Sequence, residues 1–257
     1  MSASAKPQFS SFKEYRSAYA AAVGLIVDRV PGVREQMLIM GSGPVSTMHL
    51  AHRQSWDVDL ATKTTFADTK GVLKGFEKGF GKDFSYSGDR DLGIFQGTLR
   101  LPDAPPISVD ILPAQHTFLA AELEPQAALS RFTCLSMAGY ARIKAQTLSD
   151  RKDFKDIYDL AALANHPSGH DAVIRSLNRH CNKGALRQGI DMCRGLDHAS
   201  HGLHLLPTGF RPVTEKHLES FGDQMETTLE RKVKIDSARR ESDRFDRIAE
   251  SFSPAFG

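Results

Sequence analysis

Three aspartates in two short segments are the residues whose types and spacing are best suited to chemistry. Asp57 and Asp59 lie in the segment 56–60 (WDVDL), and Asp110 lies in the segment 107–112 (ISVDIL). Both segments alternate polar and apolar residues, which predicts strands that each present their aspartates on one face. Like charges on one face cost free energy unless a cation lies between them, and Mg²⁺ prefers one or two carboxylates together with substrate phosphates.

The chemistry depends on where the two predicted strands lie. If they are neighbours in one sheet, the three carboxylates converge and suit two metal ions that promote in-line phosphoryl or nucleotidyl transfer. The alternative is that an Asp-x-Asp pair at a strand end is merely solvated. The aspartates alone leave both interpretations open.

A turn of small residues upstream favours the chemical interpretation. An apolar run at 37–40 predicts a buried strand. Gly41, Ser42 and Gly43 follow it as a turn into a helix, and Pro44 suits the first position of that helix. Backbone N–H groups and the dipole at such a turn bind phosphate, and the Ser42 hydroxyl adds a donor.

The elements that must position these residues form an α/β half followed by a helical half. The sequence predicts helices at 10–30, 44–52 and 68–80, and strands at 37–40, 56–60, 84–87, 94–101 and 107–112. After Ser136 it predicts helices at 137–148, 151–164, 171–179 and 183–193, and a long charged segment at 213–252. We therefore divide the chain into an α/β core at residues 1–130 and a helical portion at residues 131–257.

The composition is that of an ordinary globular protein. The 257 residues are 40% hydrophobic and 25% charged, with a formal net charge of +2. This argues against a disordered, collagen-like or disulfide-stapled chain and neither requires nor forbids a nucleic-acid partner. Three distant cysteines without a Cys-x-x-Cys pair indicate a reduced, cytoplasmic setting. The apolar stretch at 18–27 is too short to span a bilayer, so we expect no membrane partner.

Two motifs resemble those of a known family. Residues 40–42 (MGS) and 57–60 (DVDL) fit hG[GS]…Dh[DE]h, the signature of the DNA polymerase β-like nucleotidyltransferase superfamily. Within it, residues 43–59 (GPVSTMHLAHRQSWDVD) resemble the AbiEii/AbiGii-type toxin nucleotidyltransferases, whose run is close to GGTALALHLGHRRSxDLD. Lys144, Arg151 and the run 155–160 (KDIYDL) resemble the K…R…(K/R)DxxDL helix pair of the same family.

The resemblance implies a fold, an activity and partners. The implied fold is α/β (α+β): a nucleotidyltransferase-type mixed sheet flanked by helices, with a helical C-terminal portion. The implied activity is transfer of a nucleoside monophosphate from an NTP, with Mg²⁺ or Mn²⁺, to an acceptor, foremost the tRNA 3′ end. The implied setting is the toxin of a type IV-like toxin–antitoxin or phage-defence system, with a cognate antitoxin.

The resemblance also assigns roles to individual residues. The catalytic set is Asp57, Asp59, Asp110, Lys144 and Asp156, of which the first three are the metal ligands. The nucleotide-binding set is Gly41, Ser42, Gly43 and Arg151. Among the residues of the second motif, Lys144 would neutralise charge on the triphosphate. Asp156 would touch the nucleotide or metal, or orient Lys144. Lys144 and Asp156 are stronger candidates than Lys155 or Asp159.

A simpler interpretation of the second motif needs no chemistry. The pairs Lys152/Asp156 and Lys155/Asp159 have i,i+4 spacing and would stabilise any exposed helix by a few tenths of a kcal/mol. The first motif departs from the family in one place, because Ser42-Gly43-Pro44 stands where the family has Gly-Gly-Thr. Three alternatives therefore stay open: a small-molecule (antibiotic-type) nucleotidyltransferase, a protein nucleotidyltransferase and a non-catalytic nucleotide-binding relative.

Two further groups of residues have ordinary explanations. Lys70, Lys74, Lys78 and Lys82 repeat along one predicted helix and form either a solvated face or a track for a nucleic-acid backbone. His198, His201 and His204 lie in a glycine-containing segment without a carboxylate or cysteine scaffold, which favours a surface loop over a metal site.

Overall fold

A computed structural model describes residues 9–63, 68–114, 117–151, 153–195 and 206–251, with side chains described as far as residue 243. The strands are β1 (Met37–Ile39), β2 (Asp57–Thr62), β3 (Phe84–Asp89), β4 (Ile94–Leu99), β5 (Ile107–Leu112), β6 (Leu123–Gln126) and β7 (Phe132–Leu135). The helices are α1 (Phe12–Arg29), α2 (Val33–Gln36), α3 (Ser42–Val45), α4 (Thr69–Phe80), α5 (Met137–Asp150), α6 (Phe154–Ala164), α7 (His170–His180), α8 (Lys183–Arg194) and α9 (Glu215–Ser251). A π-helical turn at Ser46–Leu50 continues α3.

The strands described form one mixed sheet in the order β3-β4-β5-β2-β1-β7-β6. The pairs β2–β5 and β1–β7 are parallel, and the remaining pairs are antiparallel. In the β2–β5 register, Asp57 lies beside Ser108 and Asp59 beside Asp110. The two aspartate-bearing strands are therefore direct neighbours, which is the arrangement that convergence of the carboxylates requires.

The two faces of the sheet are covered differently. One face is apolar along its length and packs against α1 and α4, with Val58, Val109 and Phe95 in its core. On the other face, helices α5 to α9 pack over β1, β7 and the end of β2, where Leu38, Ala61 and Leu135 join their hydrophobic cluster. On β3, β4 and β5 this second face carries exposed polar side chains instead.

Capping side chains explain why several helices begin where the sequence predicts. Ser11 accepts a hydrogen bond from the Glu14 amide at the start of α1, and Asp68 and Ser136 cap α4 and α5 in the same way. Such caps satisfy N–H groups that the first turn leaves free. The α/β class with a helical C-terminal portion is confirmed.

The region at 120–136, around the predicted boundary at residue 130, holds two strands that the sequence did not predict. These are β6 and β7, and β7 belongs to the sheet although it lies beyond residue 130. Both strands have four residues, which is too short for an alternating pattern to be recognised. The division into two domains stays a prediction. The segment with His198, His201 and His204 lies outside the described residues.

No helix in the described segments is long and apolar enough to cross a membrane. The cysteines Cys134, Cys181 and Cys193 are all buried and carry free thiols.

Candidate active site

The site lies at the N-terminal end of β2, where this strand carries Asp57 and Asp59. Val58 and Leu60 are buried in the cluster beneath the sheet, so the alternation of the strand places Asp57 and Asp59 on the opposite face, where both are half-buried. Asp110 is half-buried beside Asp59 on the neighbouring strand. The structure thus brings together the three carboxylates that the sequence singles out.

These carboxylates lie in an environment that is short of positive charge. Burial, followed by the charges of Asp57 and Asp110, raises the pKa of Asp59 to about 7, although Lys144 and Arg53 act in the opposite direction. Burial and Asp57 also raise the pKa of Asp110, against a hydrogen bond from Gln96 that lowers it. Because each carboxylate disfavours ionisation of its neighbours, the group would be stabilised by a bound cation.

The glycine turn approaches the carboxylates so closely that a side chain is excluded. The Met40 amide donates to the Asp59 carbonyl at 2.8 Å. A Cβ atom on Gly41 would lie 1.9 Å from Oδ2 of Asp59, and a Cβ atom on Gly43 would lie 2.2 Å from the Tyr19 hydroxyl. Both glycines are thus needed for the backbone to reach the edge of the site.

The Ser42 hydroxyl is used within the protein, in contrast to its expected role as a free phosphate donor. Ser55 Oγ donates to Oδ1 of Asp57 at 2.5 Å, and Ser42 and Ser55 share a 2.6 Å hydrogen bond. Since Ser55 gives its proton to a carboxylate, Ser42 must donate to Ser55. The Arg53 guanidinium donates to Ser42 at 2.6 Å. This chain of hydrogen bonds fixes the orientation of Asp57.

Asp159 on α6 is fully buried and lies at the centre of a second cluster. Its carboxylate accepts from Arg53 at 2.6 and 2.9 Å, from Tyr140 at 2.6 Å and from His52 Nε2 at 2.7 Å, and it pairs with Lys144 at 2.8 Å. Burial alone would raise the pKa of Asp159. The charges of Arg53 and Lys144, together with these hydrogen bonds, hold that pKa well below its ordinary value.

Asp156, one turn earlier on α6, is also fully buried and paired. It accepts from Lys144 at 2.7 Å and from Arg151 at 2.9 and 3.2 Å. Burial opposes ionisation, but the hydrogen bond from Arg151 and the charge of Lys144 lower the pKa of Asp156. The Arg151 side chain is 58% exposed, so it covers Asp156 from the solvent side.

Lys144 connects the two clusters. Burial favours its neutral form, but Tyr140, Asp159 and Asp156 raise its pKa above the ordinary value, so the side chain stays charged. Its charge acts on Asp59 and lowers the pKa of that carboxyl. The buried pairs with Asp156 and Asp159 therefore hold one permanent positive charge near the carboxylates of the sheet.

The simpler interpretation of the second motif, an exposed helix with i,i+4 pairs, is wrong for its acidic members, because Asp156 and Asp159 are both buried and bind other partners. Lys155 is exposed, and Lys152 lies outside the described residues. Asp159 has the larger set of partners, and the ranking of Asp156 above Asp159 as a functional residue stays a prediction.

Sequence reasoning missed four residues that organise the site: Arg53, His52, Tyr140 and Ser55. A signal for three of them existed, because His52, Arg53 and Ser55 lie in the quoted first motif. Asp159, the partner of His52 and Arg53, lies in the second motif. Acidic residues three apart share a helix face, so Asp156 and Asp159 had to point the same way. Tyr140 had no signal beyond its helical position.

The donor set of the sheet carboxylates fits Mg²⁺, a hard cation that binds oxygen ligands. In the described residues, no group of three or more His, Cys, Asp or Glu side chains is arranged to hold a metal ion. One or two carboxylates with phosphate oxygens from a substrate make a sufficient ligand set for Mg²⁺.

Two solved structures share the fold of this chain. The chain is similar in fold to MenT4, a nucleotidyltransferase toxin from Mycobacterium tuberculosis, with a TM-score of 0.51 and 16% identity over 83% of this chain and 85% of the other. It is also similar to JHP933 from Helicobacter pylori, with a TM-score of 0.50 and 13% identity over 88% of this chain and 98% of the other. No curated protein sequence matches the chain significantly.

The family comparison covers most of the chain and both carboxylate groups. Residues 45–251 match the family model described as nucleotidyl transferase AbiEii toxin, type IV toxin–antitoxin system. The match contains Asp57, Asp59, Asp110 and the helices α5 and α6, and it begins just after the glycine turn. The chain therefore belongs to the AbiEii family of nucleotidyltransferase toxins.

Proposed function

We propose that this protein transfers a nucleoside monophosphate from an NTP to the 3′ end of tRNA, in a Mg²⁺-dependent reaction, as the toxin of a type IV toxin–antitoxin system. The observation that carries the proposal is the set of sheet carboxylates, which share one face, lack sufficient neutralising charge and lie beside a glycine turn. Family membership supplies the reaction class. The tRNA acceptor, a cognate antitoxin, a role in phage defence and a cytoplasmic location follow from the resemblance and the composition.

The metal ligands would come from Asp57, Asp59 and Asp110: one or two of these carboxylates, completed by phosphate oxygens of the substrate, would hold Mg²⁺, with Mn²⁺ as an alternative. When bound, the ion neutralises charge on the triphosphate and on the leaving pyrophosphate. Two features of the chain support this assignment. The carboxylate oxygens are ligands of the right hardness, and burial together with mutual repulsion raises the pKa of Asp59, which a cation would reverse.

The residues of the chain have separate tasks in the transfer. An acceptor hydroxyl attacks the α-phosphorus of the NTP, the bond to the β-phosphate oxygen breaks, and pyrophosphate leaves. Asp110 would also take the proton of the hydroxyl, because its carboxylate lies beside Asp59 on the open face of the sheet. Lys144 supplies fixed positive charge, which stabilises the transition state without reorganisation.

The turn at Gly41 to Gly43 would bind the triphosphate through its backbone. Because Ser42 donates its proton to Ser55, backbone N–H groups rather than this hydroxyl would contact the phosphates. Arg151, more than half exposed, would reach phosphate or the acceptor from the solvent side. Lys70, Lys74 and Lys78 on α4 are exposed, but α4 packs on the face of the sheet opposite the carboxylates. The stripe would therefore be a solvated face or a tRNA contact away from the reacting groups.

The proposal is tested by incubating the purified protein with Mg²⁺, total tRNA and each α-³²P-labelled NTP in turn. We expect label in tRNA with the wild type and none with Asp57→Asn, which keeps the shape of the side chain. EDTA should stop the labelling, and excess Mg²⁺ or Mn²⁺ should restore it. Labelling of kanamycin or of protein instead of tRNA would move the assignment to another acceptor class, and no labelling of any acceptor by folded protein would overturn it.

A further inference from the structure

Beside the carboxylates of the sheet, the part of the second face that no helix covers is a polar surface. The pairing of β3, β4, β5 and β2 aligns the side chains on this face in two rows that run across the strands. The first row is Ser85, Thr98, Ser108 and Asp57, and the second is Ser87, Gln96, Asp110 and Asp59. Each row therefore starts at the free edge of the sheet and ends at a carboxylate of the active site.

These rows form most of the floor of a shallow cleft of about 450 Å³ that is open to solvent. Its polar side chains are Ser85, Ser87, Gln96, Thr98, Ser108 and Asp110, and Tyr86 and Gly97 complete the lining. This volume lies in the range of sites for small molecules or for one unit of a larger ligand. The four hydroxyl side chains are exposed and make no side-chain hydrogen bond to any described residue. They are therefore available to a ligand, in contrast to Ser42 and Ser55, whose hydroxyls are bound within the protein.

The chemistry of the cleft selects a ligand that is rich in hydroxyl groups and carries no negative charge at the bound ring. Its lining offers hydroxyl and amide groups, which both donate and accept hydrogen bonds. No lysine or arginine is among the residues that line it, and Asp110 at its inner end repels phosphate. A sugar ring matches this lining, whereas the triphosphate of an NTP does not.

The position of the cleft separates acceptor from donor. In the sheet order, β2 lies between β1, which leads into the glycine turn, and β5, which forms the inner wall of the cleft. A triphosphate at the turn and a ligand in the cleft would thus approach the β2 carboxylates from opposite sides. In-line displacement needs such an arrangement, because the attacking and leaving oxygens lie on opposite sides of the phosphorus.

We propose that this cleft binds the sugar of the acceptor and directs its attacking hydroxyl at Asp110. The inference rests on the proposed nucleotidyl transfer and adds the acceptor site to it. Gln96 lies beside Asp110 in the strand register, so its amide borders the inner corner of the cleft. The sugar is either the terminal ribose of an RNA or the ring of a free compound such as an aminoglycoside.

The test separates acceptor binding from donor binding by steady-state kinetics. The double variant Thr98→Val/Ser87→Ala removes two hydroxyls at little change of shape, and Ser87→Trp fills the cleft from the exposed edge strand. We expect the double variant to raise KM for the acceptor about ten-fold, as loss of two neutral hydrogen bonds predicts. Ser87→Trp should raise it further, while KM for the NTP stays within about two-fold for both. Ser220→Ala, at an exposed serine of α9, is the matched control and should change neither value.

Equilibrium binding without NTP gives a readout that is independent of turnover. Wild type and Ser87→Trp are titrated with total tRNA and, in a separate arm, with kanamycin. Weaker binding of one probe by Ser87→Trp supports the cleft and identifies the source of the sugar. Equal affinity of both proteins, no binding of either probe by the wild type, or an unchanged acceptor KM overturns it. If the wild type labels no acceptor, the proposed function fails, and the binding arm still decides whether the cleft holds a sugar.

Discussion

Two groups of aspartates in this protein lie close to Lys144 and differ in how their charge is met. Asp57, Asp59 and Asp110 repel one another, and the pKa values of Asp59 and Asp110 are raised. Asp156 and Asp159 are more deeply buried, yet their pKa values are lowered, because each has at least two cationic partners. Burial alone therefore does not decide the charge of a carboxylate.

This difference distinguishes carboxylates that hold other side chains in place from carboxylates that could bind a ligand. Asp156 and Asp159 are buried and already accept several hydrogen bonds each, so we expect them to act by holding Lys144, Arg53 and Arg151. Half-buried carboxylates that lack counter-charge are destabilised until a ligand arrives, which is typical of functional sites. The second motif of the family thus supports the first through Lys144.

The largest expected effect is on catalysis. Asp57→Asn should lower nucleotidyl transfer by about 10³-fold, equivalent to about 4 kcal/mol of transition-state stabilisation. The free energy of unfolding should stay the same or rise slightly, because one like charge is removed and the amide oxygen still accepts from Ser55. Transfer assays and urea denaturation of the same preparation measure both, and a destabilised variant would contradict the comparison.

Asp159→Asn should, in contrast, lower the free energy of unfolding. It leaves Arg53 and Lys144 with less compensation in a buried site, which costs about 3–5 kcal/mol. We expect a lower urea midpoint with an unchanged denaturant slope. Lys155→Ala, at an exposed residue on the same helix, is the control and should change stability by less than about 0.5 kcal/mol. A stable Asp159→Asn variant would show that the cluster is not structural.

Gly41→Ala should damage the site without damaging the core. The added Cβ would overlap Oδ2 of Asp59, so either the turn or the carboxylate must move, and a shift of about 1 Å can cost about 10²-fold in rate. Gly222→Ala in α9 is a matched control, because the nearest atom to its Cβ is 3.4 Å away and alanine favours the helix. Full activity of Gly41→Ala would show that the close approach has no catalytic role.

Divalent cations should stabilise only the carboxylates of the sheet, because these are the ones that lack counter-charge. A ligand that binds the native state alone at ten times its Kd raises the free energy of unfolding by about 1.4 kcal/mol. Mg²⁺ should therefore raise the urea midpoint of the wild type but leave Asp57→Asn unchanged. An equal rise in both proteins would place the bound ions elsewhere.

The sequence predicted much of the first group and less of the second. The period-two alternation around Asp57, Asp59 and Asp110 fixed their shared face, and only the neighbourhood of β2 and β5 had to come from the structure. The partners of Asp159 come from segments far apart in the chain, such as His52 and Tyr140. Local spacing carries no information about such contacts, so an i,i+4 interpretation of α6 seemed sufficient.

The same limit applies to the fold. Helices with a capping residue and an apolar face were predicted to within a few residues, as for α1 and α4. The strands β6 and β7 were missed because four residues are too few to show a period. The open cleft was also invisible, since serines and threonines on strands become a surface only when β3, β4 and β5 are paired in register.

The smallest expected effect, and the sharpest form of the comparison, is a pair of opposite pH dependences in metal-free protein. Asp159 and Asp156 have lowered pKa values, so their stabilisation is present above the pKa of an unfolded aspartate, about 4, and is lost as the pH falls below it. Asp59 has a raised pKa of about 7, so its native state holds the proton longer and stability falls as the pH rises from about 4 through 7. Urea denaturation in EDTA from about pH 2 to about pH 8 should show that Asp159→Asn weakens the loss of stability below about pH 4. Asp59→Asn should weaken the loss of stability as the pH rises from about 4 through 7. If one variant altered both slopes, the two groups would titrate as a single network through Lys144.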